Sequence, residues 1–195
     1  MKNTPHKPKT GDLLKQATIA DLVVMWQERE GAMSPYYPVI WERVKTGETV
    51  VEFGLRRGGS TAAFLHAGAI VVSYDLDLPD PRIELYRHLS KLAAGRWAMV
   101  YADTRVIPIP PCDWLLVDSE HTYDQVKAEL RPDVVACVRK GIMFHDTIVH
   151  GVDGRKSQGG GGIWPAIEEF LAEPGCPFHL DYHATEGVGF TVLMR

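Results

Sequence analysis

Between Val50 and Asp77 the chain reads VVEFGLRRGGSTAAFLHAGAIVVSYDLD. Thr49 to Phe53 is β-branched and apolar on both faces, the pattern of a strand buried inside a parallel sheet. The run ends in an acid and a glycine, Glu52 and Gly54, and passes into a glycine-rich turn. Ser60 to His66 predicts a helix, and Ile70 to Tyr74 a second buried strand that closes on Asp75. This order is half of a doubly wound α/β nucleotide site, in which ligands sit beyond the carboxyl ends of the strands.

The remainder continues the alternation. Ile19, Leu22, Val23 and Trp26 have helical spacing, so 17–29 predicts an amphipathic helix that Gly31 ends. Tyr36 to Val44 predicts a second short helix with Trp41 inward. Further strands are expected at Trp97–Tyr101, Trp114–Val117 and Ile142–Phe144. Helices are expected over Asp80–Leu92, Tyr123–Val135 and Ile163–Leu171. Pro132 is expected to kink or split the second of these. Phe178–His183 and Gly189–Met194 read as two closing strands. Residues 147–162 hold six glycines and predict a long loop over the site. The whole reads as one domain over 17–195, with a helical segment at 17–45, preceded by a mobile N-terminal tail at 1–16. Alternation of this kind implies a mostly parallel sheet with helices on both faces.

Composition narrows the classes. A net charge of −4 over 195 residues does not suit a broadly basic nucleic-acid binder. No apolar run of about 18 residues is present to span a bilayer. Cys112, Cys137 and Cys176 are far apart and odd in number, so a disulfide framework or zinc site is not expected, and reduced thiols in a cytoplasmic protein are.

The glycine turn fits neither common phosphate loop. A dinucleotide fingerprint needs glycine where Arg56 stands, and a Walker loop needs lysine where Ser60 stands. What remains is an acid two residues before the first glycine. Glu52 would repel a triphosphate but can face the cationic amino acid end of S-adenosylmethionine. Asp75 is placed for the ribose hydroxyls, and Asp103, after the third strand, for the adenine amine. Asp118 ends a fourth strand. A lone acid at such a place is commonly a helix N-cap, but four acids after four successive strands point to one ligand.

At these residues the chain resembles class I S-adenosylmethionine-dependent methyltransferases. It is most similar to the small O-methyltransferase-like group that includes macrocin-type sugar O-methyltransferases and cephalosporin hydroxylase-like proteins. VEFGLRRGGST, VSYDLD, DWLLVDSEHTYDQVKAEL, GIMFHDT and GIWPAIEEFL carry the resemblance over residues 45–195. It implies a seven-stranded Rossmann-like sheet of order 3-2-1-4-5-7-6 with strand 7 antiparallel. It also implies cofactor contacts from Glu52, Gly54, Arg56, Gly58, Gly59, Ser60, Asp75, Asp103 and Asp118. Metal-dependent relatives hold magnesium with an aspartate after strand four and two adjacent acids after strand five. Asp118 and Asp146 match those positions, and His145 stands where some relatives carry glutamate. The implied ligands are Asp118, His145 and Asp146, with manganese or another imidazole-tolerant ion as well placed as magnesium.

His121, three residues after Asp118, stands where some sugar-methylating relatives place a catalytic base, and His150 is an alternative. Arg57 is expected on the surface, and Trp164 either in the acceptor pocket or in the core. The expected activity is methyl transfer to a hydroxyl of a small molecule or sugar, with Asp118 and His121 catalytic. A cofactor-binding or hydroxylase-like protein without methyl transfer is the alternative. A nucleic-acid methyltransferase fits less well, because Asp118-Ser119-Glu120-His121 replaces the N/D-P-P-Y/F motif of the amino-methylating enzymes. No membrane partner is expected. An N-terminal helix carrying Trp26 could pack on this domain or on a second copy.

Overall fold

The computed structural model of the protein describes residues 17–28, 31–77, 83–152 and 161–195. The tail at 1–16 and the loop stretch 153–160 lie outside the described residues. Strands β1 (Thr49–Phe53), β2 (Ile70–Asp75), β3 (Trp97–Tyr101), β4 (Cys112–Val117) and β5 (Val138–His145) run parallel. Strands β6 (His179–His183) and β7 (Phe190–Met194) complete a seven-stranded sheet of order β3-β2-β1-β4-β5-β7-β6, with β7 antiparallel to both neighbours. This is the expected topology. The strand order reverses between β1 and β4, the crevice where such sheets bind ligands.

Helices α1 (Ile19–Glu28), α2 (Tyr37–Arg43), α3 (Gly59–His66) and α4 (Ile83–Ala93) precede β3. Helices α5 (Tyr123–Glu129), α6 (Pro132–Val135) and α7 (Ile163–Ala172) follow β4. Successive strand residues divide between two cores. Val50, Leu116, Met143 and Val192 pack with α1, α2 and α3, while Val51, Leu115, Ile142 and Leu193 pack with α5 and α7. That division is why the central strands lack a polar face.

Two elements differ from the sequence expectation for physical reasons. Strand β5 starts four residues before Ile142, because its charged beginning is paired at the strand's base. Arg139 bonds Asp113 at 3.1 Å, and Lys140 bonds Glu48. The helix expected over Tyr123–Val135 is divided at Arg131, which is extended (φ −60°, ψ 152°) as a residue before proline prefers. Thr122 caps α5 by accepting from the Gln125 N–H at 3.3 Å. Asp118 is therefore not used as that cap.

The N-terminal segment is bound to the domain by aromatic side chains. The Tyr36 hydroxyl donates to the Glu186 carbonyl and accepts from the Gly189 N–H, and its ring stacks on Phe190 at 5.1 Å. Tyr37 donates to the Gly59 carbonyl, and half-buried Trp41 donates to the Ala63 carbonyl. Trp26 packs against the same core. Trp164 lies half-buried against the other core and His183. The three cysteines are free thiols. Among the described residues no helix is long and apolar enough to cross a membrane.

Glu52 corrects the sequence reading. Its side chain is fully buried under the glycine turn and accepts from Ser60, from Thr61 at 2.6 Å, and from Ser73. It faces three hydroxyls of α3 and β2 and no cavity, so it is a tie between elements. Burial pushes its carboxyl up to about 7, with the three hydroxyls opposing. A folded-state value above the unfolded one means that stability is complete below about pH 4.5 and is lost as pH rises toward 7. The shift corresponds to about 3 kcal/mol at 1.36 kcal/mol per unit. Chemical denaturation of the wild type and Glu52→Gln from pH 4 to 8 should show the wild type losing stability relative to the variant by that order. A stability difference independent of pH would contradict a titrating Glu52.

Gly54 has φ +89°, and a Cβ there would lie 2.1 Å from the Asp118 carbonyl oxygen. Backbone strain and the clash act together. Gly54→Ala should therefore cost more than about 2 kcal/mol in denaturant unfolding; a loss under about 0.5 kcal/mol would show that the β1 and β4 ends can separate.

Candidate functional site

The ends of β1, β2, β4 and β5 meet two adjoining cavities. One, of about 420 Å³, is walled by Gly54, the Tyr74–Asp77 turn, Ala102, Thr104 and the Asp118–His121 turn. The other, of about 410 Å³, lies between the 31–34 loop and the glycine turn, and includes Gly59, Ser60 and His145. Arg56 and Asp118 border both.

At that border four side chains converge. Ligand atoms of Asp118, His121, His145 and Asp146 all lie within 4.8 Å of one another. Asp118 Oδ1 is 3.0 Å from His145 Nδ1 and 3.3 Å from His121 Nε2. Asp146 reaches His121 Nε2 at 3.3 Å and His145 Nδ1 at 3.4 Å. Asp146 sits at φ +58°, in the left-handed region that aspartate tolerates, where β5 ends. The His121 ring stacks on His150, with centroids 4.9 Å apart and planes 7° apart. His150 is thus a neighbour that buttresses His121.

The charges are strongly coupled. Burial would raise the Asp118 carboxyl, but His145 and His121 outweigh it and hold the group at about 2. Burial would lower His145, but Asp118 and Asp146 outweigh it and push it up to about 9. Nδ1 of His145 faces the carboxylates, while Nε2 is buried without a well-formed hydrogen bond, toward the Ala32 carbonyl. Two imidazole nitrogens and two carboxylates at this spacing are a donor set that manganese, iron or zinc accepts better than magnesium. His121 joins the three ligands expected from the sequence, so the cluster is one residue larger than the reading from motifs.

The remaining expected residues divide. Gly54, Arg56, Asp75 and Asp118 border the first cavity, and Arg56, Gly59, Ser60 and Asp118 the second. Asp75 already has bonds: Oδ2 accepts the Leu55 and Arg56 N–H groups at 2.9 and 3.0 Å, and Oδ1 accepts that of Asp77 at 2.8 Å. It shapes the glycine turn, and the expected pair of ribose bonds would have to share its oxygens with these donors. Gly58 borders neither cavity. It precedes α3 at φ +71°, packed on Leu89, so its part is conformational. Asp103 is likewise corrected. Arg105 grips both its oxygens, at 3.0 and 2.7 Å, and it borders neither cavity. Arg57, expected only on the surface, borders the second cavity.

A second polar group escaped the sequence reading. Buried Glu129 accepts through Oε1 from Thr104, from Ser119 at 2.6 Å and from Gln125 at 2.8 Å. Burial raises its carboxyl, with those donors opposing. Gln125 and Glu129 are four apart on α5, a spacing that places them on one helix face. That pair, directly behind an acid-ended strand, was the available signal.

No protein-family model matches the chain, and no curated protein matches it. Solved structures do. A Clostridium thermocellum protein assigned as an rRNA methylase aligns with TM-score 0.60 and 17% identity, over 84% of this chain and 94% of its own. A Staphylococcus aureus protein assigned as a caffeoyl-CoA O-methyltransferase aligns with TM-score 0.59 and 12% identity, over 94% and 96%. The Burkholderia thailandensis 1,6-didemethyltoxoflavin N1-methyltransferase, bound to S-adenosylhomocysteine, aligns with TM-score 0.53 and 17% identity, over 100% and 92%. At these identities the likeness is one of fold: the chain carries the seven-stranded Rossmann-like sheet found in S-adenosylmethionine-dependent methyltransferases.

Proposed function

We propose that the protein transfers a methyl group from S-adenosylmethionine to a hydroxyl of a small molecule or sugar. The observation that carries this reading is the Asp118–His121–His145–Asp146 cluster, placed where two cavities join at the strand ends. The adenosine lies in the cavity bordered by Asp75, and the amino acid end in the cavity bordered by Gly59 and Ser60. The start of α3 offers backbone N–H groups to a carboxylate there. The sulfonium then sits near Asp118, whose carboxylate stays ionised across the physiological range.

His121 is the base. Nε2–H donates toward Asp118 and Asp146, each 3.3 Å away, which orients the ring and leaves Nδ1 as the nitrogen that takes the proton. The acceptor oxygen forms a bond to the methyl carbon as the sulfur–carbon bond breaks. The proton passes to His121, and S-adenosylhomocysteine leaves. Alignment of oxygen, carbon and sulfur supplies most of the acceleration. A divalent ion held by Asp118, His121, His145 and Asp146 would lower the acceptor's proton affinity and orient it. With His121 as a ligand through Nε2, its imidazole would be a weaker base, so the metal and base roles of the ring compete. Net negative charge supports a small acceptor over a nucleic acid, although rRNA methylases share the fold.

Two outcomes follow. In a screen of hydroxylated acceptors read by S-adenosylhomocysteine release, His121→Ala should reduce turnover by about 100-fold or more. Its affinity for S-adenosylhomocysteine should stay within about threefold of wild type; turnover within about threefold would remove His121 as the base. Manganese binding, followed by calorimetry, should weaken as pH falls below about 9, because a protonated His145 must release its proton to become a ligand. Affinity unchanged from pH 6 to 9 would exclude His145 as a ligand.

A further inference from the structure

We propose that Gln125 reads the exocyclic amine of the purine, and that Glu129 sets the direction in which Gln125 reads. The proposal rests on the cofactor reading above and extends it to the residue that distinguishes an aminopurine from an oxopurine.

The hydrogen-bond network determines which way the Gln125 amide points. Thr104 and Ser119 both give their hydroxyl protons to Glu129 Oε1. Their oxygens are then left to accept. Gln125 Nε2 lies 3.1 Å from Thr104 Oγ1, 3.4 Å from Ser119 Oγ and 2.8 Å from Glu129 Oε1. Three acceptors surround one end of the amide, so that end is the NH₂ group. Turning the amide would set its carbonyl oxygen against the Glu129 carboxylate. The carbonyl Oε1 is therefore fixed on the other side.

That oxygen accepts no hydrogen bond among the described residues, and it is not one of the buried atoms left without a partner. Gln125 borders the cavity assigned to adenosine, so the oxygen is an acceptor available to a ligand there. Leu76, in the same wall and 52% exposed, offers an apolar surface for a flat ring. An aminopurine presents N–H donors to the carbonyl. An oxopurine presents an oxygen, and two acceptors then face each other without a proton. Asp103 does not compete for this role, since Arg105 occupies its carboxylate.

The test compares S-adenosylhomocysteine with S-inosylhomocysteine by titration calorimetry on the full-length protein. The wild type should bind the adenosyl compound at least about tenfold more tightly. Gln125→Met, which keeps the side chain's length without its polar atoms, should bring the ratio to within about twofold of one. Glu129→Met removes the acceptor that pins the amide and should narrow the ratio by about threefold or more. It guards against a failure of the first variant to fold. Equal binding of the two compounds by wild type overturns the proposal and leaves the cofactor reading standing. Discrimination that survives in both variants also overturns it, and assigns the reading to another group. Failure of the folded wild type to bind either compound overturns the cofactor reading, and this proposal with it.

Discussion

The close approach of Gly54 to the Asp118 carbonyl controls the geometry of the site. A Cβ at Gly54 would lie 2.1 Å from that oxygen, so the ends of β1 and β4 are brought nearer than any other residue type permits. Their contact places Asp118 between the two cavities. Beneath it, the buried Glu52 carboxylate joins β1 to Ser73 of β2 and to Ser60 and Thr61 of α3. Beside it, at the end of β2, Asp75 accepts from the Leu55 and Arg56 N–H groups. The glycine turn is thus held from below by one acid and from the side by another. Two of the four strand-end acids shape the turn, Asp103 pairs with its own loop, and Asp118 alone faces chemistry on both sides.

That division explains what was legible in the sequence. Strand identity could be read because β1, β4 and β5 contribute alternate residues to two cores, which leaves continuous apolar runs, whereas the strand order was implied by the resemblance to the methyltransferases. The start of β5 was hidden because Arg139 and Lys140 look like a loop until Asp113 and Glu48 are known to lie beside them. Asp118, His121, His145 and Asp146 could be located from their positions after β4 and β5. Their convergence within 4.8 Å depends on β4 and β5 being neighbours in register. The roles of Glu52 and Asp103 were misread for a common reason. An acid at a strand end has several possible partners, and one-dimensional spacing does not say whether a ligand, a hydroxyl or a nearby arginine is closest. Gln125 and Glu129 are polar residues set beside the apolar stripe Val126, Leu130, Val134, and their burial is visible only in the fold.

The electrostatics of the cluster admit two states of one arrangement. With His145 protonated, an imidazolium lies between two carboxylates and balances much of their charge without any ion. With His145 neutral, two nitrogens and two carboxylates converge on a point that a divalent cation suits. The same four side chains serve both, and the proton and the metal exclude one another at His145 Nδ1. Sequence similarity below 20% to the solved structures carries the sheet but not these choices, which belong to the particular residues of this chain.

The most direct test of the central claim is a crystal structure of the protein grown with S-adenosylhomocysteine. The account predicts adenosine beside Asp75 and Gln125, the amino acid end over Gly59 and Ser60, and sulfur facing the junction at Asp118. Density for the ligand elsewhere, or in the reverse direction with the purine against Ser60, would contradict it.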